Sequence, residues 1–277
     1  VSVFGEKDIQ VREKTLDELK QLNMAAQFVN DAGEMPYAEL HGSAVPDELR
    51  ILSLDEVLDY LTSAGEFRYI IEIKDGGDTG LAAADQLYAT LKERGLLNRV
   101  IIGTFRDEVA NYITKNYPDT HRSASPAEVV QFYLAALTDK KDFTCSYDVL
   151  QLPFNNAGSS FGINLGLVKI INYAHAHDLA MQYWTVNSEE DMEYLISIGA
   201  DALITDYPDR AAAIISRHLE ANGFKVGIIS QPDWKDDRSI ARLGEPRLAF
   251  LVCAGNMDSM VNHYTVSKKR RKKDAYT

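Results

Sequence analysis

An α/β fold with parallel strands and crossover helices is predicted by two features of the sequence. From about Ile51 onward, helical patterns alternate with short apolar, β-branched runs, the rhythm that parallel strands joined by helices produce. Several of those runs end in polar or charged residues: Glu72 and Lys74, Thr104, Thr185 and Asn187, Thr205 and Asp206. In parallel α/β folds that end of the strands carries the site, so these residues are candidates; for any one strand, a polar residue that merely begins a loop is the plainer reading.

The elements follow in order. Thr15 with Glu18 in TLDE, and Ser53 with Glu56 in SLDE, are capping-box pairs that start the helices LDELKQL and EVLDYL. Between them, residues 30–48 (NDAGEMPYAELHGSAVPDE) read as a loop rich in Gly, Pro and acidic residues. The predicted strands are FRYIIEIK (67–74), RVIIGTF (99–105), CSYDVLQLP (145–153), LAMQYWTVN (179–187) and DALITDYP (201–208), followed by KVGIIS (225–230) and LAFLVCA (248–254). Asn187 with Glu190 offers a start for the helix EEDMEYLISIG, which Gly199 would stop. The last two strands flank a helix around DDRSIARLG, giving a C-terminal βαβ-like extension.

With 277 residues, 45% hydrophobic and 25% charged, the chain is long enough for one large core or two domains. A net charge of -12 argues against a body that binds nucleic acid or an anionic membrane through its overall field and favours a small-molecule partner. The basic run KKRRKK (268–273) is a local exception, read as a solvated tail before a phosphate or nucleic-acid contact. Cys145 and Cys253 stand far apart in apolar runs, as reduced core thiols do, which points to a cytoplasmic compartment. Secretion stays open because the chain begins with Val and its start has no leader pattern. No apolar run is long enough to span a bilayer, and oligomeric state is not legible.

Glu72 and Lys74 lie two apart on a predicted strand, so both leave one face, which in a closed barrel points inward. A divalent cation on Glu72 and a phosphate near Lys74 would satisfy both charges. A Glu-Lys pair on a solvated sheet face is the equal alternative. His175 and His177, two apart on a helix, do not share a face; His121 and Arg122 in HRSASP read as a surface loop; Ser159 and Ser160 in AGSSFG lack nucleophile-elbow spacing. Asp206 is a ligand candidate or the cap of the next helix.

IEIK, IIGTF, YDVLQLP and AHAHDLAMQYWTVNSEEDMEYLISIGADALITDYPD, in that order over about residues 10–212, resemble the later part of the glycerophosphodiester phosphodiesterase family. The resemblance implies a TIM barrel, a divalent cation (Mg or Ca) held by carboxylates, and hydrolysis of glycerophosphodiesters to glycerol 3-phosphate and an alcohol. By matching position it implies Glu72 as a metal ligand, Lys74 as a phosphate contact and Trp184 as part of the substrate wall. The family's His-Arg-Gly strand, Glu-x-Asp strand and His-Asp pair do not occur before residue 72. The expectation is therefore an incomplete barrel lacking its first strands, with no catalytic residue assigned and impaired activity.

Residues 211–277, with QPDW and AGNMDSMVNHYT, resemble the amino-terminal region of a radical-SAM protein family of uncertain function. That family's CxxxCxxC is not in this piece, so no iron-sulfur cluster is expected here. The expected division is a phosphodiesterase-like barrel over 1–212 and this fragment over 213–277, as a composite or truncated product or a true fusion.

Overall fold

The computed structural model describes residues 11–30, 33–154, 165–229, 238 and 241–247. Two compact units emerge, residues 1–68 and 69–277. The first is loop-rich and built around two short helices, α1 (Leu16–Leu19) and α2 (Leu54–Ala64), each opened by the predicted capping box. The loop between them is held by side chains that satisfy its backbone. Asn23, buried, donates to the carbonyls of Tyr37 (2.7 Å) and Leu40 (3.0 Å), and Arg50 donates to those of Gly42 (3.1 Å) and Val45 (2.6 Å). Such bonds replace the ladder that irregular backbone lacks.

The second unit is the α/β body. Strands β1 (Tyr69–Ile73), β2 (Val100–Thr104) and β3 (His121–Arg122) pair in parallel, as do β4 (Val149–Pro153), β5 (Ala180–Trp184) and β6 (Ala202–Leu203). The two triplets are joined by a parallel bridge between Ser123 and Val149, where the Ala124 N–H donates to the Val149 carbonyl (2.9 Å) and the Asp148 N–H to the Arg122 carbonyl (3.1 Å). Six parallel strands thus follow in chain order, the sequence of a TIM barrel. Among the described residues no strand lies beyond β1 or β6, so the barrel is incomplete.

Crossover helices α3 (Gly77–Glu93), α4 (Asp107–Asn116), α5 (Pro126–Thr138), α6 (Val168–His175), α7 (Glu189–Ser197) and α8 (Pro208–Ala221) link and flank the strands. Their inner faces show helical spacing: Gly80, Ala84, Leu87 and Leu91 are the buried positions of α3. Leu150, Leu152, Met181 and Tyr183 point the other way from the barrel interior and form the core with Phe132, Ile170, Ile171, Met192, Leu195 and Ile214. Among the described residues no helix is long and apolar enough to cross a membrane.

Several expectations need correction. His121 and Arg122 are a strand, not a surface loop, and Arg122 is only 2% exposed. Its guanidinium is satisfied inside by a fork on Glu128 (2.7 Å to each oxygen), Thr114 Oγ1 (2.7 Å), the Ser123 carbonyl (3.0 Å) and Ser146 Oγ (2.9 Å). The cap of α7 is Ser188, whose hydroxyl accepts from the Asp191 N–H, because Asn187 is engaged elsewhere. Residues 225–229 form no strand; Ile228 is exposed and no sheet neighbour is described beside it. Of the expected helix after it, Arg238 is helical and Ala241–Leu243 form a 3-10 turn. Cys145 is exposed, not a core thiol. The strand LAFLVCA, Cys253, Ser159, Ser160 and the basic run lie outside the described residues.

Burial alone would push the Glu128 carboxyl up, but the Arg122 fork and the Ser125 N–H outweigh it and hold its pKa below the ordinary 4.5. A carboxyl lowered in the folded state adds stability above its unfolded pKa and loses it as pH falls through the folded value. Glu128→Ala, which strands a buried guanidinium, is expected to cost about 3–5 kcal/mol in urea unfolding at neutral pH. That deficit against the parent should shrink in titrations carried well below pH 4.5; a deficit independent of pH would contradict the assignment.

Candidate functional site

The C-terminal strand ends of the second unit gather three of the sequence candidates. In the β1–β2 register Glu72 stands opposite Gly103 and Ile73 opposite Thr104, which sets Lys74 opposite Phe105. Residues two apart on a strand share a face, so Glu72 and Lys74 rise on the side that Gly103 and Phe105 share. That side is the barrel interior: a β-carbon on Gly103 would lie 3.2 Å from Gln151 Oε1 and 3.6 Å from Ser123 Oγ. Gln151 in turn donates to Gln182 Oε1 (3.0 Å), and Trp184 follows Gln182 by two on β5. The Trp184 ring meets Phe105 edge-on, with centroids 5.8 Å apart and planes at 89°. One mouth therefore carries Glu72, Lys74, Phe105 and Trp184.

The charges there are paired but accessible. Lys74 Nζ lies 3.2 Å from Glu72 Oε2, with the lysine side chain 81% exposed and the glutamate 35%. Of the two alternatives in the sequence reading, the Glu-Lys pair is present, on the interior face of the described strands. Such a pair adds little stability. The ammonium keeps most of its surface for a ligand.

Glycine shapes the loop behind Lys74. The Gly77 N–H donates to Glu108 Oε1 (3.2 Å), and Gly77 has φ +56°, where a side chain is strained. A β-carbon at Gly80 would lie 2.3 Å from the Asp75 carbonyl oxygen and 2.8 Å from Val109 Cγ2. The first turn of α3 can seat against the strand end only because that position has no side chain.

The remaining candidates are occupied structurally. Thr104 Oγ1 accepts from the Arg106 N–H (3.1 Å) and closes the end of β2. Asn187 accepts at Oδ1 from Thr205 Oγ1 (3.1 Å) and the Asp206 N–H (3.0 Å), and donates to Asp206 Oδ2 (2.9 Å). This knot ties the loop after β5 to the loop after β6. Asp206 therefore does not cap α8, whose N-cap is Tyr207. Thr185 is exposed beside the knot. His175 lies 2.9 Å from Asp201, while His177 bonds to the Tyr173 carbonyl (2.8 Å), so the two histidines serve different partners. Phe105 and Arg106 were missed by sequence reading, though the register of IIGTF against IEIK was a signal for Phe105.

A divalent cation takes six or more oxygen ligands, usually from several carboxylates. Here Glu72 is paired with Lys74, and among the described residues no group of three or more His, Cys, Asp or Glu is arranged to hold a metal. The donor set of the described mouth does not fit such a cation.

Residues 2–210 match the glycerophosphoryl diester phosphodiesterase family, and residues 184–277 match the radical SAM N-terminal family, so the two overlap across 184–210. Among curated proteins, a UPF0313 protein of Clostridium perfringens is 62% identical over 82 residues, covering 30% of this chain and 12% of its own length. A Thermotoga petrophila UPF0313 protein is 54% identical over 83 residues, 30% of this chain and 14% of its own. The chain thus spans a small fraction of those relatives. Among solved structures, a protein assigned as a glycerophosphoryl diester phosphodiesterase from Silicibacter pomeroyi DSS-3 superposes with a TM-score of 0.55 at 18% identity, covering 80% of this chain and 73% of that one. A glycerophosphodiester phosphodiesterase from Parabacteroides distasonis ATCC 8503 gives 0.52 at 18% identity, covering 78% of each.

Gly80→Ala should force the α3 start off the strand end and lower stability by about 1–3 kcal/mol, the usual cost of overpacking. A thermal melt checks this, and an unchanged midpoint would show that the close approach to Asp75 is not required.

Proposed function

The chain belongs to the glycerophosphoryl diester phosphodiesterase family, and from that premise we propose that its barrel mouth binds a glycerophosphodiester while hydrolysis to glycerol 3-phosphate and an alcohol is impaired. The reading is carried by the register that sets Lys74 beside Phe105, whose ring meets Trp184. Lys74 is the phosphate contact, a point charge with most of its surface free. Trp184 is the substrate wall, giving the glycerol carbons an apolar face.

By family position Glu72 would be the ligand offered to Mg or Ca, a set too small to hold the ion by itself. Because the described donor set does not complete a cation shell, affinity is weak, and the barrier to hydrolysis stays high without that charge neutralisation. Proton transfer is weak for a related reason: three of the five described histidines, His121 facing Asp148 (3.3 Å) and His175 and His177 with their own partners, are engaged elsewhere. A missing general acid or base costs about two to four orders of magnitude in rate.

We further propose the division at about residue 212, with the barrel before it and the radical-SAM-like piece after it. The 62% identity of the UPF0313 relative over 82 residues favours a second reading, in which whatever the chain does resides in that piece. The barrel reading also takes a small phosphodiester as partner and a cytoplasmic setting.

Release of glycerol 3-phosphate from glycerophosphocholine with added magnesium or calcium decides among these. Slow, cation-dependent release that Glu72→Ala abolishes is the expected outcome. Binding without release, lost in Lys74→Ala, would leave a non-catalytic phosphate-binding remnant. Loss of function on truncation after Ile215, with Glu72→Ala silent, would move the function to the C-terminal piece.

A further inference from the structure

We propose that Arg106 is a second phosphate-binding residue of this mouth, and that with Lys74 it selects a phosphodiester monoanion over a phosphomonoester dianion. This rests on the phosphodiester reading and deepens it by naming the ligand charge the site fits.

Arg106 follows Phe105 at the end of β2, and its backbone is fixed there by Thr104 Oγ1. Its aliphatic stem runs over Gly76, where an added β-carbon would come within 3.3 Å of Arg106 Cδ. From that position its Nε donates to the Lys74 carbonyl at 3.3 Å. The guanidinium is thereby anchored to the backbone of the residue that carries the ammonium, and both cations stand at adjoining strand ends. With Nε committed, the fork still has its two terminal nitrogens, the geometry that suits two oxygens of one phosphate.

Among the described residues, no carboxylate forms an ion pair with Arg106. Glu72 pairs with Lys74, Glu108 accepts from the Gly77 N–H, and Asp107 accepts from the Ala127 N–H at 3.1 Å. Glu72, Lys74 and Arg106 together carry one net positive charge. That complements the single negative charge of a phosphodiester. A dianion would leave an unbalanced negative charge, and Asp75 and Asp78 on the same loop weigh further against it. For an enzyme of this class the same balance would help the phosphomonoester product leave.

Calorimetric titration of the full chain with glycerophosphoglycerol and, separately, with sn-glycerol 3-phosphate tests this, with Lys74→Ala, Arg106→Ala and Arg106→Gln compared at two salt concentrations. Arg106→Gln retains a donor for the Lys74 carbonyl, so it separates loss of charge from loss of the anchor if the alanine variant folds poorly. Each Arg106 variant is expected to weaken diester binding by about tenfold or more, as removal of a charge-assisted bond does. The salt dependence should become shallower, and the parent should prefer the diester. If Lys74→Ala weakens binding and Arg106→Gln does not, Arg106 has no such role while the site reading stands. If the parent binds neither ligand, or Lys74→Ala binds as the parent does, the site reading fails and takes this proposal with it.

Discussion

The buried ion pair between Arg122 and Glu128 holds the two halves of the sheet together, and the geometry of the mouth follows from it. β3 is two residues long and would be a poor strand by itself. Its backbone nevertheless links both triplets: the Ser123 N–H donates to the Ile102 carbonyl (3.0 Å), and the Asp148 N–H to the Arg122 carbonyl (3.1 Å). The side chain that makes this tolerable is Arg122, whose charge is enclosed by a bidentate carboxylate, two hydroxyls and a carbonyl. An enclosed charge is costly unless every donor finds a partner, and here the partners come from α4, α5 and the segment before β4. Satisfying the guanidinium therefore fixes the position of β3 against both neighbours. Phe105, from the first triplet, can then meet Trp184, from the second.

The interior face carries a different chemistry from the helix-facing side. Toward the helices the strands present Leu150, Leu152, Met181 and Tyr183, all nearly or fully inaccessible. Toward the interior they present Glu72, Gly103, Gln151 and Gln182, which are small, amide or charged. In a closed barrel that interior is filled by stacked side chains from all strands. With six described strands the polar residues meet one another instead, as the Gln151–Gln182 bond and the Glu72–Lys74 pair do. Ile70 on the same face of β1 remains 48% exposed. Among the described residues, no carboxylate joins Glu72 in a group that could hold a metal.

Sequence pattern identified the parts of this structure governed by local chemistry. The capping boxes at Thr15 and Ser53, the stop at Gly199 with φ +93°, and the central strands were all readable from neighbouring residues. The alternation at Glu72 and Lys74 was readable too, because a strand imposes it whatever lies opposite. Features that depend on distant partners were not. Arg122 reads as a surface charge until Glu128 and Thr114 are brought around it, and the capping box of Ser125 and Glu128 that starts the helix supplying the carboxylate was passed over. Asn187 has the residue type of a cap, and only proximity to Asp206 shows why Ser188 takes that place. Residues 225–229 have strand composition, but a strand needs a neighbour. Arg106 was not singled out, because its place over Gly76 depends on the pairing of β1 with β2.

The two family matches meet within helix structure. Their overlap runs from the last residue of β5 through α7 and β6 and ends in the first turn of α8, a single helix of 14 residues. Its inner face is part of the barrel's packing, since Ala211 and Ile214 sit in the same core as Met192 and Leu195. A helix demands of its sequence only small or apolar residues at the positions facing that core. AAAIIS meets this demand without reference to which family the rest of the chain follows. The core is therefore continuous through the proposed division at about residue 212. Beyond α8 the same economy ends: Leu243 closes against Gly227, and Ile228 is left in solvent. Among the described residues, the packing that defines the barrel therefore ends with α8.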